Sequence, residues 1–121
     1  MKYDDNNIFA KILRGEIPCN KIYEDDYVLS FYDINPQKKI HALVIPKGKY
    51  IDLDDFNSNA SNDEIVGLMK GITTVSKKLG ISSIAGNGYR ALANISDYGG
   101  QEVPHLHFHL FGGEKVGKMV S

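Results

Sequence analysis

One cysteine, no surplus of either charge and no long apolar run narrow the choices for this chain at once. Cys19 alone cannot close an internal disulfide and has no partner for a CxxC zinc site, so a reducing compartment suits it best. Lys plus Arg number 14 and Asp plus Glu 15, a formal net charge of -1. Gripping DNA or RNA takes a concentrated basic surface, so no nucleic-acid partner is expected. A small anion held by a few local donors stays compatible with that balance. No apolar stretch approaches the ~20 residues of a membrane-spanning helix, and no membrane association is expected. The opening MKYDDNNIF is acidic and lacks the basic-then-apolar build of a signal peptide, which points to the cytoplasm.

What is present is ordinary for a folded domain: 121 residues, 42% hydrophobic and 24% charged. That length fits one domain, residues 1–121, with one core. Asn6 and Asn7 are caps for a short helix with the apolar stripe Ile8, Phe9, Ile12 and Leu13, ended by Gly15 and Pro18. Lys21–Glu24 and Tyr27–Ile34 read as strands around the turn Asp25–Asp26; Tyr27, Leu29, Phe31 and Asp33 share one face of the second. Asn35–Pro36 breaks it. His41–Ile45 is a strand whose continuous apolar run predicts cover on both faces.

Asp54–Asn62 is polar, without apolar period, and reads as a loop. Ser61 and Glu64 then form a capping box for a helix Ser61–Leu79, with Gly80 as its stop. Gly67 and Gly71 weaken that helix by about 1 kcal/mol each relative to Ala. Four apart, they suit a face where another backbone packs closely. Tyr89–Ile95 is a further strand, Ser96–Val103 a glycine-bearing loop and His105–Phe111 the last strand, while Glu114–Ser121 is too polar to assign. The order predicts an α+β fold: a five-stranded antiparallel sheet with a short N-terminal helix and one longer helix, both on one face.

Three of the four histidines fall within Pro104-His105-Leu106-His107-Phe108-His109-Leu110. In a strand, His105, His107 and His109 share one face and Leu106, Phe108 and Leu110 the other, with neighbouring imidazole Cβ atoms about 6.5–7 Å apart. Three readings follow. The histidines are half-buried polar groups satisfied by backbone carbonyls; or they ligate a metal, although no HExxH, cysteine cluster or recognisable carboxylate completes a shell; or they act as nucleophile and acid–base groups on an anionic substrate. The preceding segment, Asn94 to Val103 with Gly99 and Gly100, favours the third. Glycines let backbone N–H groups approach a ligand, and consecutive N–H donors make an anion nest.

His105-Leu-His107-Phe-His109-Leu-Phe111 fits the histidine-triad pattern, in which histidines alternate with apolar residues. With it come Ile8-Phe9-Ala10-Lys11-Ile12-Leu13-Arg14-Gly15-Glu16-Ile17-Pro18, Phe31-Tyr32-Asp33-Ile34-Asn35-Pro36 and His41-Ala42-Leu43-Val44-Ile45-Pro46-Lys47. Together with Gly99–Gly113, these cover nearly the whole chain apart from the Asp52–Asp63 loop and the tail. The chain closely resembles the Hint branch of the histidine-triad (HIT) family of nucleotide-binding hydrolases and transferases.

The resemblance implies a HIT-like fold and a purine nucleoside phosphoramidate hydrolase acting on an adenosine 5′-monophosphate joined to an amine. His107 would attack the α-phosphorus and carry a nucleotidyl–histidine intermediate; His109 would meet a phosphate oxygen, and His105 and His41 would support the cluster. Asn94, Gly100, Glu102 and Val103 would surround the phosphate, and Asp33 would bind the ribose hydroxyls, a diol that a carboxylate accepts from well. Phe9, Ile12 and Ile34 would line the base pocket, although Phe9 and Ile12 also read as plain core residues. Glu102 stands where animal Hint proteins carry a serine, and the tail lacks their aromatic, proline-rich ending. No metal or other cofactor is implied, and no structural zinc. The implied partner is a second copy, joined through the Ser61–Leu79 helix and the Ser82–Ile95 region. The alternatives are a dinucleoside polyphosphate hydrolase with the same nucleophile, and a nucleotide- or metal-binding regulatory protein with negligible turnover.

Overall fold

In the computed structural model, which describes residues 2–119, the chain runs through three helices and five strands. They are α1 (Ile8–Leu13), β1 (Lys21–Glu24), β2 (Val28–Tyr32), β3 (Ile40–Pro46), α2 (Leu53–Asn59), α3 (Asn62–Lys78), β4 (Arg90–Leu92) and β5 (Phe108–Gly112). The strands form one antiparallel sheet in the order β1-β2-β3-β5-β4. The α+β architecture is the expected one.

β3 is the wall between two cores, and its period of two explains why it is apolar throughout. Ala42 and Val44 face Val28 of β2, Leu110 of β5, Leu106, and Leu68, Ile72 and Val75 of α3. Leu43 and Ile45 face the other way, onto Leu29 and Phe31 of β2 and Phe9 of α1. Helices therefore cover both faces of the sheet, not one as expected. The reason is Phe9: its ring meets Phe31 edge-on at 5.6 Å, so α1 docks on the face opposite α3.

Three other expectations need correction. Asp54–Asn62 is not a loop, because Leu53–Asn59 is helical. Asp52 accepts from the Asp55 N–H and the Asp55 carboxylate accepts from the Ile51 N–H, both at 2.8 Å, so the two aspartates build the helix start between them. Phe56, fully buried, anchors the turn edge-on against Tyr50, with Leu53 packed against the same core. Burying Phe56 contributes roughly 1.5–3 kcal/mol, yet one large apolar residue within Asp54–Asn62 makes no period. Tyr89–Ile95 shrinks to the three residues of β4. The last strand starts at Phe108 rather than His105, because Pro46, at the end of β3, has no N–H with which to prolong the ladder. Its carbonyl accepts from the His105 ring instead. The alternation nonetheless survives ahead of the strand: Leu106, Phe108 and Leu110 go to the α3 side. The tail has no helix or strand through Met119, and residues 120 and 121 of the unassigned stretch lie outside the described residues.

α3 carries the expected capping box, Ser61 and Glu64 each holding the other's backbone N–H. Its glycines face β2 of the same chain, not a second helix. A Cβ on Gly67 would lie 2.6 Å from Tyr27 Cγ and 2.7 Å from Tyr27 Cβ, and one on Gly71 would lie 3.0 Å from Val28. Gly67→Ala is accordingly expected to destabilise the chain by about 1–3 kcal/mol through overpacking, despite the better helix propensity of alanine. Urea unfolding measures it; a more stable variant would show that Tyr27 yields freely.

Candidate active site

The face of the sheet that carries Leu43 and Ile45 also carries the histidines. Leu43 pairs across the ladder with His109 and His41 with Phe111, which brings His41 and His109 into contact at 5.2 Å between ring centroids. Phe9 stands edge-on to His107 at 4.9 Å, so α1 fixes the second wall. Between them lies a cleft of about 500 Å³. Phe9, Ile12, Asp33, Ile34, His41, Asn94, Gly100, Glu102, Val103, His107 and His109 all line it. His105 does not; it is wholly buried behind the cleft. Phe9 proves to be both core residue and cleft wall, whereas Ile34 is 86% exposed at the rim. Ile17, Cys19, Phe31 and Leu43 complete the apolar end. Phe31 was legible, since it shares the strand face of Asp33. A larger groove of about 850 Å³ runs beside Arg90, Glu114 and Lys115 and contains none of the histidines.

The hydrogen bonds decide the tautomer of each ring, since a carbonyl only accepts and an amide N–H only donates. His107 Nδ1 lies 2.8 Å from the His105 carbonyl, so the proton sits on Nδ1 and the lone pair on Nε2. No buried side-chain nitrogen is left unpaired among the described residues, so this Nε2, which has no partner there, opens into the cleft. Gln37 N–H donates to His41 Nδ1 at 3.2 Å, which puts the His41 proton on Nε2. That proton is donated to His109 Nδ1, 2.9 Å away, with Asp33 Oδ2 at 3.5 Å. His109 is thereby left with an N–H at Nε2. A bare imidazole lone pair and an imidazole donor stand side by side, their rings 5.0 Å apart.

Burial keeps the cluster uncharged. It lowers the pKa of His107, against the opposing pull of the His105 carbonyl, Asp33 and Glu102. Burial together with the neighbouring rings of His107 and His41 pushes His109 down to about 4, and burial pushes His105 to about 4 as well. His41 is lowered by burial, with Asp33 opposing.

The glycine loop works differently from the expected nest. The Gly100 N–H is used internally, on the Asp97 carbonyl, and the Gln101 N–H on that of Ser96. Of the loop residues that line the cleft, Glu102 and Val103 have N–H groups with no acceptor among the described residues, and these are left for an anion there. The glycines are needed for the turn: Gly100 has φ +76, and a Cβ on Gly99 would strike the Ile95 carbonyl at 2.5 Å. Gln101 ties the loop down through the carbonyls of Ile51 and Val103.

Asp33, His41 and His109 bring a carboxylate and two imidazoles within ligating distance of one another, a juxtaposition spacing alone did not reveal. The tautomers oppose a metal there. His41 spends its lone pair on the Gln37 amide, and its remaining nitrogen carries the proton. Gln37 left no signal in the sequence, nor did Tyr3, whose hydroxyl lies 2.6 Å from His105 Nδ1.

The class is thus an α+β domain with one five-stranded antiparallel sheet and a cleft that is apolar at one end and lined by His41, His107 and His109 at the other. Comparison gives the family. The HIT domain matches residues 14–116, and the chain belongs to the HIT family. It is 50% identical to a HIT-like protein of Azospirillum brasilense, over 98% of this chain and 95% of that one. It is 40% identical to the purine nucleoside phosphoramidase of Escherichia coli K12, over 97% and 95%. Among solved structures, a histidine triad protein from Clostridium difficile superposes with a TM-score of 0.83 at 40% identity, covering 98% of both chains. A HIT family hydrolase from Clostridium thermocellum reaches 0.84 at 35% identity, over 98% and 99%.

The lowered histidine pKa values set the pH dependence of folding. An unfolded histidine takes up its proton near pH 6.5, whereas folded His105 and His109 resist it until about pH 4. The unfolded chain thus binds more protons in that interval, and stability is full above it and falls with acidification. The urea midpoint should drop between about pH 7 and about pH 5, above the range where carboxylates titrate. A midpoint that rises there contradicts a neutral cluster.

Proposed function

We propose that the chain is a HIT hydrolase that cleaves purine nucleoside phosphoramidates, through a nucleotidyl intermediate on His107. The observation that carries the reading is the lone pair of His107 Nε2, open to the cleft beside the N–H of His109. His107 Nε2 attacks the α-phosphorus, a P–N bond to histidine forms, and the P–N bond to the amine breaks. The amine takes up a proton from solvent as it leaves. Water then attacks the phosphorus, the P–N bond to His107 breaks, and the proton lost from the water to solvent balances the first, freeing the nucleoside monophosphate and neutral His107. His109 donates to a phosphate oxygen as negative charge builds on it, and the amides of Glu102 and Val103 assist. Asp33 accepts from the ribose hydroxyls, and Phe9, Ile12, Phe31 and Leu43 enclose the base.

The cleft lining contains two carboxylates, Asp33 and Glu102, and no lysine or arginine. A train of further phosphates would meet repulsion there, which favours an amine leaving group over a dinucleoside polyphosphate. The E. coli relative named a purine nucleoside phosphoramidase supports the same choice. None of the described helices is long and apolar enough to cross a membrane, which accords with a cytoplasmic enzyme.

The test is turnover of an adenosine phosphoramidate in the presence of EDTA. His107→Ala should lose several orders of magnitude in kcat and still bind AMP, because the covalent route is closed and the cleft is not. His109→Ala should lose on the order of 10²–10³, as for one transition-state donor. An acid quench should trap the nucleotidyl group on His107; an adduct on Glu102 or His105 would sink the assignment, as would near-normal turnover by His107→Ala. Activity that needs added zinc would favour the metal reading instead.

A homodimer belongs to the same proposal. β4 is a three-residue strand at one edge of the sheet, and α3 leaves Val66 and Met69 about half exposed. Pairing such an edge across a two-fold axis removes an aggregation hazard. Light scattering should give twice the chain mass; a single-chain mass at every concentration rejects the dimer.

A further inference from the structure

We propose that Tyr3 is a positioning residue for the nucleophile: its hydroxyl pairs the buried lone pair of His105 left by the tautomer that Pro46 selects, and so holds in place the residue whose carbonyl anchors His107. The kinetic side of this inference rests on His107 being the nucleophile, as proposed above. The geometric side does not.

His105 is wholly buried, and its two ring nitrogens face partners of opposite kind. Nε2 lies 2.9 Å from the Pro46 carbonyl, which can only accept, so the proton is on Nε2. Burial keeps the ring neutral, with a pKa of about 4, so Nδ1 must carry a lone pair and needs a donor. The Tyr3 hydroxyl supplies it at 2.6 Å, with the phenol ring edge-on to the imidazole at 5.7 Å. Burial raises the Tyr3 pKa, so the phenol keeps its proton at neutral pH.

Without that donor a wholly buried lone pair would be left unpaired, and the His105 ring would have to move to satisfy it. The same residue presents the main-chain carbonyl that accepts from His107 Nδ1–H. Loosening that bond lets the His107 proton migrate to Nε2 and occupy the lone pair that attacks phosphorus. Tyr3 acts at two removes, since it is absent from the cleft lining. The segment that carries it is tied in place independently: Asp5 pairs with Lys49 at 2.8 Å, and the Asn7 side-chain amide donates to the Asp4 carbonyl at 2.7 Å.

Tyr3→Phe removes only the hydroxyl. In this variant kcat for an adenosine phosphoramidate should fall about 3- to 15-fold, the scale of one neutral hydrogen bond, while AMP affinity stays within about twofold. Nitrogen-detected NMR of the imidazoles should show wild-type His105 as a single neutral tautomer protonated on Nε2 between about pH 8 and about pH 5. In Tyr3→Phe the Pro46 carbonyl still selects the His105 tautomer, but the two neutral tautomers of His107 should mix. Lys49→Ala breaks the ion pair to Asp5 but spares the hydroxyl, and should keep wild-type kcat and a wild-type His105 spectrum. The proposal is overturned if Tyr3→Phe retains wild-type kcat, or if kcat and AMP affinity fall by the same factor. A wild-type chain that hydrolyses no phosphoramidate would defeat the functional reading alone. The spectra then decide, mixed His107 tautomers in Tyr3→Phe supporting the role and an unchanged single His107 tautomer rejecting it.

Discussion

Main-chain groups that can play only one part in a hydrogen bond govern everything at this site. The His105 carbonyl accepts from His107, the Pro46 carbonyl accepts from His105, and the Gln37 amide donates to His41. Imidazole is indifferent between two tautomers in water. Here each ring has that freedom removed by a partner that cannot reverse its role. The consequence is a fixed sequence of donors and acceptors running from Gln37 through His41 to His109, and a separate one from Pro46 to His105. The two meet in the cleft as one lone pair and one N–H.

That arrangement depends on the rings staying neutral, and neutrality depends on burial. The site occupies the floor of the smaller core, where Phe9, Leu43 and Ile45 exclude water. A protonated His107 would have no lone pair to offer, and a protonated neighbour would repel its own row. Depressed histidine pKa values cost stability in acid and preserve the nucleophile across neutral pH. The carboxylates Asp33 and Glu102 pull the other way on His107 without overcoming the burial. The cleft holds no lysine or arginine to compensate a highly charged ligand, so recognition of phosphate falls to neutral donors at close range.

Much of this was legible in the chain. The alternation Leu106, Phe108, Leu110 against His105, His107, His109 placed the imidazoles together on one side, because a period of two is set by backbone geometry alone. Ser61 and Glu64 announced α3 through a reciprocal bond spanning three residues. The misreadings share a cause. α2 is anchored chiefly by Phe56, whose pocket is built by Tyr50 and the sheet. Gly67 and Gly71 answer to Tyr27 and Val28, some forty positions earlier in the chain order. The placing of α1 on the face opposite α3 follows from the fit of Phe9 against Phe31. Each is a contact between distant segments, which no local window contains.

By itself the sequence determined the element types apart from α2, the grouping of the triad and the kinds of chemistry open to three alternating imidazoles. Those properties depend on neighbours within a few residues, where periodicity and capping operate. Only the tertiary structure decided which nitrogen of each ring is free, which amides of the glycine loop remain for an anion, and that Tyr3 and Gln37 belong to the site at all. A tautomer is settled by the atom across from it. For His105 those atoms come from Pro46 and Tyr3, 59 and 102 positions away, and folding alone brings them within hydrogen-bonding distance.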